Sequence, residues 1–390
     1  MNFPQQIPRP KLLAELQDGV QNSPITALLG PRQCGKSWLT RSFASSRENY
    51  FDLNDFEDTL RLEESQFRIL DGLTGTVVID EAQRMPELFL KLRVLADRDD
   101  IRARFVITGS ASPNIVRGVS ESLAGRVRFI DGGGFTADEV GWENFPSLWL
   151  KGGLPPAWLY EMPENSFRWR LDYITTFIER DLPALTQSRL STSQLRRLLI
   201  LLANCHGRYW NNNTAAEMLG VDIKTVQRHL ELFKGAYLLR ELPLFDANLN
   251  KRLRRAPRLY FRDSGLLHAL LMIRDAHQLP GHPQYGPSWE GFCIEQIIRM
   301  SRSHERQCFT WSLEQGPEVD LLLEKPQGMF GFECKAGAAP RLEPSMEKAM
   351  HYLGLKKLYV IYPGERDYPL TETIEVVAFK NLESRFESLI

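Results

Sequence analysis

The sequence predicts an α/β chain built of successive modules: a parallel sheet covered by helices, then a compact helix-turn-helix, then a second α/β unit. Three observations predict it. Short β-rich apolar runs alternate with helix-periodic segments across residues 25–140. Two helical segments around residue 220 meet at a tight glycine turn. Near the C-terminus, two strand-like runs ending in acids face each other across Pro326-Gln327.

In the first module, Ile25–Leu29, Tyr50–Leu53, Thr76–Ile79 and Arg104–Thr108 read as strands, and Ser37–Ser45, Glu57–Leu70 and Pro86–Asp97 as helices. Alternation of this kind implies a parallel sheet, whose ligands sit at the carboxyl ends of the strands. A further short helix, Arg9–Leu16, leads in, and Asp131-Gly132-Gly133-Gly134 closes the sheet. The module is expected to span residues 1–140.

The first strand runs into Gly30-Pro31-Arg32-Gln33-Cys34-Gly35-Lys36-Ser37, followed by Trp38. This is the spacing G-x-x-x-x-G-K-S, the P-loop. Gly30 and Gly35 let backbone N–H groups turn inward toward phosphate oxygens, and the following helix adds its positive end. Lys36 reaches the β- and γ-phosphates, and the Ser37 hydroxyl ligates Mg²⁺. The third strand ends Val77-Val78-Ile79-Asp80-Glu81, the Walker B pattern. Asp80 is expected to hold the Mg²⁺ shell, and Glu81 to orient or deprotonate a water. The fourth strand ends near Thr108 and Ser110, either of which could sense the terminal phosphate. Arg126, in Leu123-Ala124-Gly125-Arg126-Val127, is the expected arginine donor to the phosphoryl group, in cis or across a subunit interface, with Arg117 and Arg128 competing.

Residues 141–190 read as a helical connector, broken at Gly152-Gly153-Leu154-Pro155-Pro156 and carrying a helix over Asn165–Asp181. Residues 191–245 read as a winged helix-turn-helix. It comprises a helix Ser193–Asn204, a helix capped by Asn213 or Thr214 and stopped by Gly220, a helix Lys224–Phe233, and a strand pair within Tyr237–Phe245. Lys224, Thr225, Gln227 and Arg228 would meet a DNA groove; a lid or an oligomer-packing module is the alternative. The stretch 246–262 is locally basic, with Lys251, Arg252, Arg254, Arg255, Arg258 and Arg262 interleaved with Tyr260 and Phe261. A solvated basic face is its alternative reading.

The last module, residues 246–390, carries Glu290 on a helix Trp289–Met300 and a hairpin of Glu318–Glu324 with Phe330–Lys335. That hairpin sets Asp320 opposite Glu333. Asp320, Glu333 and Glu290 could share a divalent metal, with Lys335 stabilising developing phosphorane charge. Phosphodiester hydrolysis is the implied chemistry. Ordinary charged strand ends, and a nuclease-like fold that binds DNA without cutting, are the alternatives.

The composition agrees with a globular protein: 390 residues, 43% hydrophobic and 25% charged, enough for two or three domains. A net charge of −1 excludes a global basic field, so any nucleic-acid surface must be local. The five cysteines, Cys34, Cys205, Cys293, Cys308 and Cys334, form no C-x-x-C pair and fit free thiols in a reducing cytoplasm. No apolar run approaches the ~18 residues of a bilayer span. The start Met1-Asn2-Phe3-Pro4-Gln5-Gln6 lacks a signal peptide's features. A cytoplasmic protein without a membrane partner is expected.

With these residues in place, the chain resembles bacterial and archaeal AAA+-like ATPases whose C-terminal domain of unknown function contains a restriction-endonuclease-like PD-(D/E)XK core. The matching stretches are GPRQCGKS, VVIDEAQR, ITGSAS, SLAGRV, Lys151-Gly152-Gly153, Glu179-Arg180-Asp181-Leu182, Asn248–Arg252, Tyr260–Leu267, Trp289-Glu290-Gly291-Phe292, EVD at 318–320 and ECK at 333–335. Glu290, Asp320, Glu333 and Lys335 are also similar to the acidic and lysine positions of archaeal Holliday-junction resolvases. Ser110 departs from the asparagine that many ring ATPases carry. The resemblance implies a P-loop NTPase domain with ATP and Mg²⁺ as cofactors, ring assembly, often of six subunits, and a role on DNA. The function expected is an Mg²⁺-dependent ATPase motor that binds or remodels branched DNA in recombination or repair. An ATP-regulated structure-specific nuclease and a nucleotide-dependent switch with a protein-binding winged helix are its rivals.

Overall fold

The structure is a computed structural model that describes residues 7–100, 102–110, 123–181, 191–246, 256–313 and 316–386. The chain divides into two compact units, Met1–Gly134 with Glu231–Leu238, and Phe135–Leu230 with Leu239–Ile390. The connector, helix-turn-helix and C-terminal module expected as separate segments therefore fall together in the second unit, apart from Glu231–Leu238.

The first unit is built on five parallel strands, β1 (Ile25–Gly30), β2 (Tyr50–Asp52), β3 (Gly75–Asp80), β4 (Ala103–Ser110) and β5 (Val127–Asp131), in the order β2-β3-β4-β1-β5. The central β1 pairs Ile25 with Phe105 of β4 and with Val127 of β5. Gly30, Asp80, Ser110 and Asp131 thus end on one edge of the sheet. Pleating sends alternate residues to opposite faces, and both are buried. Ala27, Leu29, Val77, Ile79, Phe105 and Ile107 pack with Leu62, Leu88 and Leu92 from helices Phe56–Glu64 and Glu87–Ala96. Leu28 and Ile130 pack the other way, against Leu12 and Leu16 of helix Pro10–Asn22 and Leu39 of helix Lys36–Arg41.

Three expectations change here. The fifth strand was not anticipated: β5 is an edge strand of which only Ile130 is buried, so its apolar signal is weak. The segment expected as one helix over Glu57–Leu70 stops at Glu64. Gln66 and Phe67 have φ of 47° and 60°, and a 3₁₀ turn at Arg68–Gly72 then carries Leu70 into the core. The helix after the P-loop ends at Arg41 rather than Ser45.

In the second unit, helix Pro163–Thr176 passes into a π-helical turn, Phe177–Asp181, rather than continuing unbroken. Helices Thr192–Asn204, Asn212–Leu219 and Ile223–Gly235 follow, the last lying across the division between the units. Asn211, and neither Asn213 nor Thr214, caps the middle helix, accepting from Asn213 N at 2.9 Å. The expected strand pair in Tyr237–Phe245 holds one strand, β6 (Leu239–Leu242); its antiparallel partner is β7 (Arg258–Phe261).

A six-stranded sheet completes the unit: β8 (Cys308–Ser312), β9 (Glu318–Lys325), β10 (Gly328–Cys334), β11 (Lys357–Tyr362), β12 (Tyr368–Pro369) and β13 (Ile374–Ala378), in the order β12-β13-β11-β10-β9-β8. Lys325 pairs with Gly328, so Pro326-Gln327 is the two-residue turn of the hairpin. Helix Pro344–Leu353 buries Met346 and Ala349 among Leu322, Leu358, Val360 and Val376. Helix Tyr285–Met300 brings Trp289 and Phe292 against Phe145, Trp149 and Phe379, with ring centroids 5.0–6.5 Å apart. Among the described residues no helix is long and apolar enough to cross a membrane.

Candidate functional site

At the carboxyl end of β1 the backbone turns sharply. A Cβ on Gly30 would stand 2.4 Å from the Gly132 carbonyl oxygen, so only glycine fits. Gly35 has φ of +93°, the left-handed conformation that favours glycine, and it leads directly into helix Lys36–Arg41. Lys36 is 5% exposed and lies back over the loop, its Nζ donating to Gly30 O at 3.1 Å and Pro31 O at 2.8 Å. Cys34 is buried beneath it; Arg32, Gln33, Ser37 and Trp38 are exposed. The loop therefore carries one ammonium held on its own carbonyls and one exposed hydroxyl, the donor set a polyphosphate with Mg²⁺ requires.

Asp80 ends β3, one strand removed from β1 at the same carboxyl edge of the sheet, and is 1% exposed. Its two oxygens accept from neutral hydroxyls, Oδ1 from Thr108 and Oδ2 from Tyr50 at 3.2 Å. Burial first, and then the Asp80 charge, push the Tyr50 phenol up to about 12, so it stays a donor. Thr108 Oγ1 also accepts from Glu81 N at 3.2 Å, tying both acids to β4. Glu81 sits at φ 56°, turned off the strand end, and accepts from Gln83 Nε2. Of the two sensor candidates, Thr108 thus lies against Asp80. Ser110 ends β4 opposite Gly30, and its side chain lies outside the described residues.

Arg126 is not at this edge. It precedes β5, and its carbonyl accepts from Ile25 N at the amino end of β1. Five strand residues, roughly 16 Å at 3.3 Å per residue, separate that end from Gly30. Its guanidinium grips Asp97, with Nη2 2.8 Å from Oδ2. Of the two routes expected for Arg126, the parallel topology argues against donation to the phosphates of its own chain. Arg128 pairs with Asp18, and Arg117 lies outside the described residues.

One residue of this unit escaped the sequence reading. Arg9, 2% exposed, donates to Cys34 O at 3.3 Å, Gly133 O at 3.0 Å and Gly134 O at 2.8 Å. It ties the P-loop to the glycine run after β5. No local pattern marks it, because its partners lie up to 125 residues away.

The second unit holds another acid cluster. The β9–β10 register runs to Phe332 opposite Leu321, one step short of Glu333 and Asp320, and Asp320 Oδ2 accepts from Cys334 N at 2.8 Å. Glu290 approaches from its helix, accepting from Tyr260 OH at 2.5 Å. The metal set expected from Glu290, Asp320 and Glu333 needs correction, however. Among the described residues no group of three His, Cys, Asp or Glu side chains is arranged to hold a metal ion. Instead Arg258 reaches into the cluster, with Nη1 3.2 Å from Glu290 and 3.6 Å from Asp320, and Nη2 2.5 Å from Glu318. Lys335 lies 3.5 Å from Glu333. Burial, then the Asp320 charge, push Glu290 up to about 8; burial likewise raises Asp320 and Glu333. Burial opposes the Lys335 ammonium, but Glu333 and Asp320 outweigh it and raise its pKa.

The basic stretch also reads differently in three dimensions. Arg258 and Arg262 are buried partners of acids, Arg262 with Arg240 flanking Glu295 at 2.8 and 2.5 Å. Burial alone would raise Glu295, but Arg240 and Arg262 outweigh it and hold it at about 2. Tyr260 and Phe261 are 1% and 2% exposed, so they offer no stacking face. Lys251, Arg252, Arg254 and Arg255 lie outside the described residues. On the helix Ile223–Gly235, Lys224, Gln227 and Arg228 are exposed. Thr225 is not: buried, it donates from N and Oγ1 to Asp222 at 2.8 and 2.7 Å and starts the helix.

Sequence comparison adds relatives to this geometry. Residues 22–141 match the AAA domain family, residues 143–277 a domain of unknown function (DUF8612), and residues 285–382 another domain of unknown function (DUF4143). Among solved structures the chain is similar to the Walker-type ATPase PABY2304 of Pyrococcus abyssi, at 16% identity and a TM-score of 0.45, over 68% of this chain and 96% of that one. Uncharacterized protein Mb2031c of Mycobacterium bovis and Uncharacterized protein Rv2008c of Mycobacterium tuberculosis are each 41% identical over 372 residues, which is 95% of this chain and 83% of theirs. The chain belongs to the family of these two mycobacterial proteins, and the stretch that holds its P-loop sheet matches the AAA domain family.

Proposed function

We propose that the chain is an Mg²⁺-dependent ATPase that acts on DNA as a ring-forming homo-oligomer, a hexamer, with branched DNA such as a Holliday junction as its substrate. The observation that carries the ATPase reading is the convergence of Lys36, Ser37, Asp80 and Glu81 at the carboxyl edge of one parallel sheet. Ser37 and Asp80 would hold Mg²⁺, which neutralises charge between phosphate oxygens when bound. Lys36 leaves the Gly30 and Pro31 carbonyls for phosphate oxygens. Thr108 and Tyr50 keep Asp80 in place without neutralising it. Glu81 orients the attacking water and takes its proton.

Two features support the oligomer and the DNA. Arg126 lies on the far edge of its own sheet and is only partly covered, a position from which it can serve a neighbour's nucleotide and not its own. Lys224, Gln227 and Arg228 line the exposed start of the third helix of a helix-turn-helix arrangement. The test is ATP turnover against single-stranded, duplex, forked and four-way DNA, with negative-stain images of the same sample. The reading expects stimulation by branched DNA and closed rings; turnover indifferent to every DNA, with no gel shift at low salt, sinks the motor.

A second reading has an observation of its own. Met218 and Ile223, beside the Gly220 turn, are 57% and 42% exposed, and an apolar rim of this kind suits a protein partner in a nucleotide-dependent switch. Such a switch turns ATP over slowly and ignores DNA in the same panel.

A further inference from the structure

Four acids crowd one place in the second unit: Glu290 from its helix, Glu318 and Asp320 from β9, and Glu333 from β10. Buried carboxylates need a counter-cation. One is already there. Arg258, at the start of β7, is 7% exposed along its side chain and touches Glu290, Glu318 and Asp320 at 3.2, 2.5 and 3.6 Å. Its guanidinium lies over the Tyr209 ring, 5.0 Å from the centroid, which holds it against the acids. The cleft beside them, about 410 Å³, is lined by Glu290, Cys334, Lys335 and Glu343. A divalent ion would need several oxygens at 2.0–2.6 Å, but Arg258 Nη1 already faces Glu290 Oε1 and Asp320 Oδ1, and the other Asp320 oxygen accepts from Cys334 N. A guanidinium stays charged at any physiological pH, so protonation does not clear the way.

We propose that Arg258 is a built-in cation standing where a divalent metal would bind, so that the second unit holds no catalytic metal and performs no metal-dependent phosphodiester cleavage. This goes beyond the ATPase reading and does not depend on it, since the P-loop and this cluster belong to different units.

The test titrates Mn²⁺ alone into the nucleotide-free full chain and follows free Mn²⁺ by electron paramagnetic resonance. Asp320→Asn on the wild-type background should leave Mn²⁺ binding unchanged. Arg258→Met should gain a Mn²⁺ site, more than about tenfold tighter than anything in the wild type, the scale on which neighbouring groups alter metal affinity. Arg258→Met/Asp320→Asn should lose that site again. Two results overturn the proposal: a loss of Mn²⁺ binding on Asp320→Asn alone, or a folded Arg258→Met chain that binds no more Mn²⁺ than wild type. If Arg258→Met fails to fold by circular dichroism, the Asp320→Asn comparison decides alone.

Discussion

Asp80 and Asp320 are both buried acids of a sheet, yet their surroundings answer the charge in opposite ways. Asp80 is met by hydroxyls, Thr108 and Tyr50, which orient a carboxylate and leave its charge available. Asp320 is met by a guanidinium, Arg258, which cancels it. The glycine loop with Lys36 ends a strand at the same sheet edge as Asp80; beside Asp320 the neighbouring acids Glu290 and Glu333 are raised toward their neutral forms. The difference teaches that acids at strand ends acquire a function from what balances them. Neutral donors prepare a place for an incoming cation, whereas an internal cation fills it.

The largest effect that separates the two should be catalytic. Lys36→Ala and Glu81→Gln should each lower phosphate release by roughly 10²–10³-fold, while Asp320→Asn leaves turnover per folded chain unchanged; equal losses would erase the contrast. Next, the ion-paired character of the second unit can be broken at Glu295. Glu295→Ala removes the buried carboxylate that Arg240 and Arg262 share and should cost about 3–5 kcal/mol in urea unfolding followed by fluorescence. A third measurement is the pH dependence of stability. The folded-state pKa of Glu290 lies above its ordinary value, at about 8. The folded chain therefore holds this proton where the unfolded chain has lost it. The stability it contributes is complete below the ordinary carboxylate range and is lost as pH rises toward 8, by up to about 1.4 kcal/mol per pH unit. Glu290→Gln should flatten that slope in urea titrations between pH 5 and 8. The smallest effect belongs to the hydroxyls: Tyr50→Phe should cost about 1 kcal/mol of stability, read by the same melts, and Arg126→Ala, an exposed pair with Asp97, should hardly move them.

Much of this contrast was legible in the chain, and the limits are instructive. The P-loop and the acids after β3 could be read because each is a contiguous segment whose strand, turn and side chains lie in one stretch of sequence. The β9–β10 hairpin could be read because Pro326-Gln327 fixes its register, and with it the approach of Asp320 to Glu333. Arg258 could not be assigned in the same way. It sits among arginines that look like a solvated or DNA-facing patch, and only the pairing of β7 with β6 turns it toward Glu290 and Glu318. Arg9 was hidden for the same reason: its carbonyl partners are Cys34, Gly133 and Gly134. For Arg126 the sequence left donation in cis and donation across a subunit interface both open, because adjacency to a strand says nothing about which end of the sheet that strand starts from. Thr225 looked like a groove contact because its spacing is right, but its hydroxyl is used up by Asp222.

Trp38 has a practical consequence. The chain contains eight tryptophans, but Met1–Gly134 and Glu231–Leu238 include only this one. It follows Ser37 directly and is 50% exposed. Its indole emission is therefore an intrinsic optical probe of the phosphate loop. With the other seven rings replaced or silent, a shift in its wavelength or quenching on nucleotide addition would time the arrival of ATP without any label.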